Sequence, residues 1–306
     1  MNKSIKPRLI VMNIIQWAVW GAYLTSMGSY LASVGLATRI GIFYAMQGIV
    51  SIFMPTLMGI VADKFIPAQK LLGLCQGIAG AAMCGAGLYG MAAGSEISFG
   101  ILFGLYALSV AFYMPTIALS NSVAFNILEQ NGYDTVKDFP PIRVFGTVGF
   151  ICAMRFGNFM TNGNGVQSQH SYNQFIVSGV LGLVMFLYCF TLPNCPCNTS
   201  SGENQTLAER FGLNAFSLFK DRQMAIFFIF SMLLGVALQI TNGFANPFIS
   251  HFKEVPQFAD SWGAQNANAL ISISQVSETL GILLIPVAMK LFGIKKVMLI
   301  AMFAWV

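Results

Sequence analysis

One acidic side chain lies in the middle of a long apolar segment. Glu278 follows the polar run SISQVS at 272–277, and no Lys or Arg occurs between Lys253 and Lys290. A carboxyl group with no nearby cation in a medium of low dielectric constant has a raised pKa, which suits proton binding and release. Glu278 is therefore a candidate proton carrier. The alternative is a structural Glu that stays protonated and hydrogen-bonds to a neighbour.

Side-chain amides recur close to this carboxyl group. Gln275 precedes Glu278 by three residues, so both project from one helical face, and Gln239 and Asn242 repeat the spacing in the preceding apolar segment. Amides carry paired donors and acceptors that complement a nucleobase edge or sugar hydroxyls. Hydrogen bonding between helices is the alternative role of such residues. Two pairs on consecutive helices favour a solute-binding site.

A third set of polar positions begins another segment, at 138–150. Arg143, Thr147 and Phe150 follow one another at i, i+4 and i+7, which places a cation, a hydroxyl and an aromatic ring on one helical stripe. Such a stripe could bind a ring-bearing polar solute. Arg143 also lies near the end of its segment and could equally be a charge at the membrane surface, and the sequence leaves both readings open. Arg155 is expected to extend toward the outer interface.

Other apolar segments contain aromatic, polar and glycine residues whose roles the sequence leaves open. The first segment contains Gln16, Trp17, Trp20, Tyr23, Thr25 and Ser29, and the fourth contains Tyr113, Thr116 and Asn121. Some of these side chains could line a cavity, although aromatic stripes are more often packing or interface anchors. The third segment has Gly73, Gly77, Gly80 and Gly87, which predict close contact with a neighbouring helix.

The composition shows what must position these residues. Charged residues make up 9% of the 306 residues, against about 25% in an ordinary soluble domain. Hydrophobic residues reach 56%. These values exclude a soluble enzyme, a disordered chain and a nucleic-acid-binding protein. The fold class predicted is all-α and transmembrane.

Charge-free stretches locate the membrane spans, because a helix needs about 20 apolar residues to cross the hydrocarbon core. The predicted spans are 9–32, 40–62, 70–93, 98–127, 140–161, 172–193, 223–249 and 265–289. They predict an N-terminal six-helix bundle at 1–193, a polar cytoplasmic linker at 194–222 and a second bundle starting at 223. The apolar run from Lys296 to Val306 is too short to cross, so the chain is expected to be truncated after about eight and a half spans.

The basic residues predict the orientation in the membrane. With a cytoplasmic N-terminus, twelve Lys and Arg residues fall on the cytoplasmic side, and Arg39, Lys253 and Arg155 fall on the outer side. The net charge of +5 therefore reports topology rather than an acidic partner. No metal-ligand cluster and no glycine-rich phosphate loop occurs, so no enzyme activity, cofactor or metal is predicted.

Several of these segments together resemble one known family. They are GIVADK at 59–64, DFPPIR at 138–143, MAIFFIFSMLLG at 224–235, LQITN at 238–242 and SISQVSET at 272–279. They resemble the nucleoside:proton symporters of the major facilitator superfamily. The resemblance implies a twelve-span fold of two six-helix bundles and import of purine and pyrimidine nucleosides with protons across the bacterial inner membrane. It also implies lipid and nucleoside as partners, no nucleic acid and a monomer.

The resemblance also implies site residues. The nucleoside site of the family falls on Arg143, Thr147, Phe150, Gln239, Asn242, Gln275 and Glu278. Proton coupling falls on Glu278 or on an acidic residue of the tenth span, beyond Val306. Gly59, Asp63 and Lys64 match the start of the superfamily's gating motif, but its later glycine and basic pair are replaced by PAQK at 67–70. Two rival functions remain, a facilitator for another polar solute such as a sugar and a non-transporting nucleoside sensor.

Overall fold

A computed structural model describes residues 4–94, 96–161, 165–196 and 218–304 of the chain. Within these ranges the regular structure is helical and contains no strand. The α-helices are α1 (Ile5–Gly21), α2 (Met27–Ser33), α3 (Ile40–Lys64), α4 (Ala68–Ala93), α5 (Phe99–Gln130), α6 (Thr135–Phe159), α7 (Asn173–Cys189), α8 (Arg222–His251), α9 (Trp262–Gln265) and α10 (Ala267–Ala304).

Several of the helices are long and apolar enough to cross a membrane. In the described part of the chain these stretches are Ala37–Lys64, Ala68–Ala93, Phe99–Gln130 and Arg222–Glu254, and α7 is a shorter apolar helix. The stretch that contains α8 has the highest mean hydropathy, 2.2, yet none of its most apolar window is buried. An exposed apolar surface of this extent is typical of a helix embedded in lipid or packed against further helices.

Helices α1 to α7 pack around a shared core. α4 lies against α5 and α7, α3 against α5, and α1 against α6. The largest fully buried side chains are aromatic, including Tyr23, Tyr106, Tyr113, Phe43 and Phe175. α8 contacts α2 and α3, and α10 contacts α6 and α8, so the last two long helices lie against one side of this core.

Glycines hold α4 and α7 close together. A Cβ atom added to Gly80 would lie 2.7 Å from the Gly179 carbonyl oxygen, and one added to Gly77 would lie 3.0 Å from the Phe186 ring. Cβ atoms added to Gly73 and Gly87 would lie 2.9 Å from Cys189 and 2.5 Å from Ile176, which are both residues of α7. The predicted contact through the four glycines is confirmed.

Glycines also set the spacing between α1 and α6. A Cβ atom on Gly21 would lie 2.6 Å from the Phe150 carbonyl oxygen, and a Cβ atom on Gly149 would overlap the backbone of Ile14. The two backbones are therefore in direct contact, which brings the side chains of the first and fifth predicted spans together.

Some helix bounds differ from the predicted spans. The span predicted at 9–32 forms two helices, α1 and α2, joined through Ala22–Ser26 by turns such as the 3.0 Å bond from the Leu24 amide to the Trp20 carbonyl oxygen. α6 begins at Thr135 rather than 140, because Asp134 accepts a 3.4 Å hydrogen bond from the Lys137 amide and caps the helix. α10 runs beyond 289, and its backbone breaks at Gly293, with φ at 72°. Residues 197–217 of the predicted linker lie outside the described ranges.

The glycine contact predicts that Gly→Ala substitutions at different positions of α4 destabilise the protein to different extents. Gly80→Ala should lower the free energy of unfolding by about 1–3 kcal/mol, because the new methyl group meets backbone atoms of α7 that cannot rotate away. Gly85→Ala is the matched control, since its nearest neighbour is the Leu105 side chain at 3.6 Å. Thermal unfolding of the two variants in detergent compares them. Equal unfolding temperatures would contradict the packing described here.

Candidate functional site

The first wall of the site is formed by α6 and α1. Arg143 of α6 is half-buried, and its guanidinium carbon lies 3.8 Å from the centre of the Trp17 ring. Gly146 makes this stacking possible, because a Cβ atom there would lie 2.5 Å from the Trp17 ring and 2.9 Å from Arg143 Nη1. A cation on an aromatic face is stabilised by the ring quadrupole. Trp17 therefore holds Arg143 in place from the neighbouring helix.

Glu278 of α10 lies within electrostatic range of this guanidinium. The Glu278 carboxylate is close enough to attract the Arg143 cation, although Glu278 itself is exposed. No direct ion pair within 4.0 Å joins the two charges in the described part of the chain. The sequence places no cation near Glu278 along its own segment, and the packing of α10 on α6 supplies one.

Thr147 and Phe150 are more deeply placed than Arg143. Each is 7% exposed, and Phe150 belongs to the hydrophobic core that includes Tyr23 and Tyr113. The Phe150 ring touches α1 at Gly21. The i, i+4, i+7 stripe therefore exists on α6, with its exposure decreasing from Arg143 to Phe150.

A cavity of about 600 Å³ lies between α1, α3, α5 and α8. Trp20, Tyr44, Gln47 and Gln239 are among its lining residues. The Gln239 side-chain nitrogen is buried and has no hydrogen-bond partner. A volume of this size falls in the range of small-molecule sites.

The structure brings only some of the predicted residues together. Arg143 and Glu278 are in range of each other, and Gln239 lines the cavity. Asn242 and Gln275 are half-buried and do not line that cavity. The Gln275 carbonyl oxygen accepts a 2.9 Å hydrogen bond from Thr279, one turn further along α10.

The predicted gating residues lie apart from the site, near the end of α3. Gly59 has open space where a side chain would be, and Asp63 and Lys64 are exposed. Neither charged residue forms a salt bridge in the described ranges.

Polar residues not selected from the sequence form a buried network at the other end of the molecule, where α6 and α8 end. Asn246 of α8 donates hydrogen bonds to Asn268 of α10 at 2.6 Å and to Gln169 at 3.2 Å, and it accepts one from Ser29 of α2. Gln169 donates to Asn158 of α6 at 3.1 Å.

The network is tied to both α6 and α10. Asn158 donates to Asn266 at 2.8 Å, just before α10, and Asn268 accepts from Thr25 at 3.1 Å. Asn158, Gln169, Asn246 and Asn268 are each no more than 1% exposed. We refer to Asn158, Gln169, Asn246, Asn266 and Asn268 as the distal amide cluster. Buried amides satisfied in this way fix the relative positions of the helices that carry them.

Arg155 contributes one more contact between α6 and α10. Its Nε atom donates a 3.1 Å hydrogen bond to the Ser272 hydroxyl. Arg155 is exposed, and its partner on the neighbouring helix was not predicted from the sequence.

The sequence did contain a signal for the distal amide cluster. Asn246 continues the stripe of Gln239 and Asn242 at i+7, and Asn268 precedes Gln275 by seven residues. Gln169 could not be found in this way, because it lies in the loop between α6 and α7, where polar residues are ordinary.

A histidine and a lysine lie beside this cluster. Lys253 Nζ is 3.3 Å from Nε2 of His170. His170 lies in the same loop as Gln169. Burial, with the Lys253 charge as a second cause, lowers the pKa of His170 from its ordinary value to about 4. His251, by contrast, is exposed and pairs with Glu254 at 2.9 Å.

Comparison with known proteins bears on the site as a whole. A family profile described as "Nucleoside H+ symporter" matches residues 1–306. The xanthosine permease of Escherichia coli (strain K12) is 42% identical over 304 residues, which cover 99% of this chain and 69% of that protein. The nucleoside permease NupG of the same organism is 41% identical over 306 residues, 99% of this chain and 70% of the relative.

Solved structures agree in fold. The crystal structure of a mutant of the nucleoside transporter NupG is similar with a TM-score of 0.87 and 39% identity, covering 98% of this chain and 72% of that one. A second NupG structure gives a TM-score of 0.81 at 39% identity over the whole of this chain.

The distal amide cluster predicts a cost for losing its central residue. Asn246→Ala should lower the free energy of unfolding by about 1–3 kcal/mol, because it removes the amide that joins Asn268, Gln169 and Ser29 and leaves the Ser29 hydroxyl without its acceptor. Thr241→Val is the control on the same helix, because the exposed Thr241 hydroxyl bonds only to the Ala237 carbonyl oxygen. Thermal unfolding in detergent measures both, and an unfolding temperature for Asn246→Ala as high as the control's would show that the cluster does not hold the helices.

The lowered pKa of His170 predicts a pH dependence of stability. The unfolded chain takes up a proton on this residue near pH 6.5, whereas the folded protein resists protonation down to about pH 4. Stability should therefore fall as the pH drops through this window. His170→Gln should flatten that part of the curve. A His170→Gln curve as steep as the wild-type curve between these pH values would contradict the assignment.

Proposed function

Because the chain belongs to the nucleoside H+ symporter family, we propose that it imports purine and pyrimidine nucleosides across the bacterial inner membrane together with protons, by alternating access. The observation that carries the proposal is that a half-buried guanidinium on α6 lies within electrostatic range of a carboxylate on α10. A cavity of about 600 Å³ lies between α1, α3, α5 and α8. In this proposal the chain is a monomer with a cytoplasmic N-terminus, and the helices group into bundles at 1–193 and 223–306.

The cavity supports a neutral polar substrate. None of its lining residues, all of them in the described ranges, is Lys, Arg, His, Asp or Glu. A nucleoside combines an apolar ring face with uncharged donors and acceptors, and it fits such a lining.

In the proposed site each helix contributes one set of contacts. α6 provides Arg143 and Thr147 for polar contacts and Phe150 for packing on the base. The amides read the polar edge of the base or the ribose, and the carboxylate accepts hydrogen bonds from ribose hydroxyls. The amides are Gln239, Asn242 and Gln275, and the carboxylate is that of Glu278.

Proton coupling follows from the position of the carboxylate. Ionised Glu278 attracts Arg143 and so favours close approach of α10 and α6, whereas protonated Glu278 does not. A proton bound on Glu278 therefore changes the relative energy of two arrangements of the bundles, which is the requirement for coupling. Trp17 keeps the cation in place, so the change in energy acts on the helices rather than on a loose side chain.

The electrostatic energy between Arg143 and Glu278 limits what this charge pair can do alone. Two unit charges at 4 Å interact by about 4 kcal/mol at an effective dielectric constant of about 20, and this pair is farther apart than an ion pair. Reversing a 1:99 population to 99:1 needs about 5.5 kcal/mol. The charge pair is therefore too weak to drive the full transition, and substrate contacts must supply the rest.

The distal amide cluster takes the role of the outer closure in this proposal. With a cytoplasmic N-terminus, the ends of α6 and α8 and the start of α10 lie on the outer side. There Asn246 bonds to Gln169 and Asn268 bonds to Thr25, which joins the second bundle to the first. Gly59, Asp63 and Lys64 then lie at the cytoplasmic end, where they would contribute to the inner closure.

The coupling role of Glu278 is testable by removing its charge. Glu278→Gln should abolish uphill accumulation of labelled uridine in membrane vesicles with an imposed pH gradient, because a neutral amide cannot carry the proton. Exchange of internal for external uridine, which needs no net proton movement, should persist. The control is Glu254→Gln, which alters an exposed carboxylate paired with His251.

The same vesicles distinguish the outcomes. Full accumulation by Glu278→Gln would remove Glu278 from coupling. Inhibition of uridine uptake by sugars but not by other nucleosides would contradict the proposed substrate class.

A further inference from the structure

We propose that Gln47 of α3 is a substrate-binding residue whose side-chain oxygen, Oε1, accepts a hydrogen bond from a hydroxyl or N–H group of the nucleoside. This inference rests on the proposed function and deepens it, because it adds a contact from α3 to the contacts proposed on α6, α8 and α10. It also requires the substrate to carry a donor at this point.

The two ends of the Gln47 amide have different surroundings. Its Nε2 atom donates a 2.7 Å hydrogen bond to the Tyr106 hydroxyl of α5. Its Oε1 atom accepts no hydrogen bond from the residues that the structure describes, and water can still reach it. Gln47 is only 4% exposed and lines the cavity of about 600 Å³ between α1, α3, α5 and α8. The free oxygen therefore faces this cavity.

The partner that anchors this amide is itself held firmly. Tyr106 is completely buried, and the centre of its ring lies 5.1 Å from the Phe43 ring and 6.1 Å from the Tyr23 ring. A side chain fixed at one end by such a partner loses little conformational freedom when the substrate binds, which favours affinity. The bond to Tyr106 thus orients the Gln47 amide with its oxygen toward the substrate.

The hydroxyl groups of the cavity lining have their hydrogen atoms committed to the protein. The Tyr44 hydroxyl donates to the Leu24 carbonyl oxygen at 2.6 Å, and the Ser51 hydroxyl donates to the main-chain carbonyl oxygen of Gln47 at 2.7 Å. A hydroxyl that donates in this way keeps only its lone pairs for a ligand. These two groups therefore cannot supply donors to a substrate without breaking bonds to the backbone.

The side-chain N–H groups of the lining are not open to the cavity either. Trp20 Nε1 and Gln239 Nε2 are enclosed by protein atoms, and Gln47 Nε2 is bonded to Tyr106. The Gln239 oxygen, in contrast, forms no hydrogen bond within the described ranges and is accessible to water. Gln47 of α3 and Gln239 of α8 thus present two acceptors to one cavity. A matching ligand carries two separated donors, as a nucleoside does with its ribose hydroxyls and the N–H or amino groups of its base.

Two other buried glutamines of the first seven helices show what a structural role looks like. Gln76 of α4 donates to the side-chain oxygen of Gln16 at 2.7 Å, and Gln16 of α1 donates to the Thr116 hydroxyl at 2.8 Å. The Gln76 oxygen has no partner, but protein atoms enclose it, so no ligand can reach it. Neither glutamine lines the cavity. Of these three glutamines, Gln47 alone combines an unpaired polar atom with access from the cavity.

The test removes the amide while keeping the length of the side chain. Gln47→Met should weaken equilibrium binding of uridine to the purified protein about tenfold, the effect of one hydrogen bond worth about 1.4 kcal/mol. The matched control is Gln69→Met, because Gln69 is also buried, at 3% exposed, but bonds to Asn194 and Cys195 and does not line the cavity. The control variant should bind uridine like the wild type.

Substrate analogues identify the donor. The 2′-deoxy, 3′-deoxy, 5′-deoxy and N3-methyl forms of uridine each lack one hydroxyl or N–H group. The form that lacks the group bonded to Gln47 should bind to the wild type about tenfold more weakly than uridine does. It should bind equally to the wild type and to Gln47→Met, because the variant has no further contact with that group to lose.

Uridine binding by Gln47→Met within twofold of the wild type would overturn the inference. An equal loss of affinity for uridine and for all four analogues would also overturn it, because the substitution would then act through packing. If Gln47→Met does not fold, the wild type alone decides, and binding of all four analogues within twofold of uridine would overturn the inference. Absence of nucleoside binding by the wild type would instead overturn the proposed function and, with it, this inference.

Discussion

The arrangement of the site depends on one buried network of hydrogen bonds between side-chain amides. Asn246 of α8 bonds to Asn268 of α10 and to Gln169 beside α7, and Asn158 ties α6 to the start of α10. These groups are almost completely buried, so each broken bond would leave an unsatisfied polar atom in an apolar surrounding. The network therefore fixes how α8 and α10 lie against the first seven helices. Positions of Gln239 and Glu278 relative to α1 and α6 follow from that anchoring.

From the anchored end, the site is built by close backbone contact. Gly21, Gly146 and Gly149 bring α1 against α6, and this contact places the Trp17 ring under Arg143. Trp17, Trp20 and Tyr113 then form a continuous aromatic wall that leads from the guanidinium to the cavity. Charge lies at one part of this wall, and the uncharged lining of the cavity lies at the other. That separation suits a symporter, in which the proton and an uncharged solute need different surroundings.

Much of the fold and part of the site could be predicted from the sequence. The absence of charges from long segments predicts membrane helices, and the glycines of α4 predict its contact with α7, because both signals are local. The separation of α1 from α2 was not predicted, since the segment 9–32 contains no charged residue and no proline that would mark a break. The proximity of Arg143 to Glu278 and the partner of Arg155 join residues more than a hundred positions apart, and no local pattern encodes them. Gln169 escaped notice because a glutamine in a polar loop carries no signal until its partners are known.

The central claim is that nucleoside and proton cross together through a site shared by the two bundles. The most direct measurement is proton movement in weakly buffered liposomes that contain the purified protein, with no imposed pH gradient and the membrane potential clamped at zero. Addition of external uridine should drive protons inward and raise the external pH, with a rate that follows uridine uptake. Uridine uptake without any accompanying change in external pH would contradict the account.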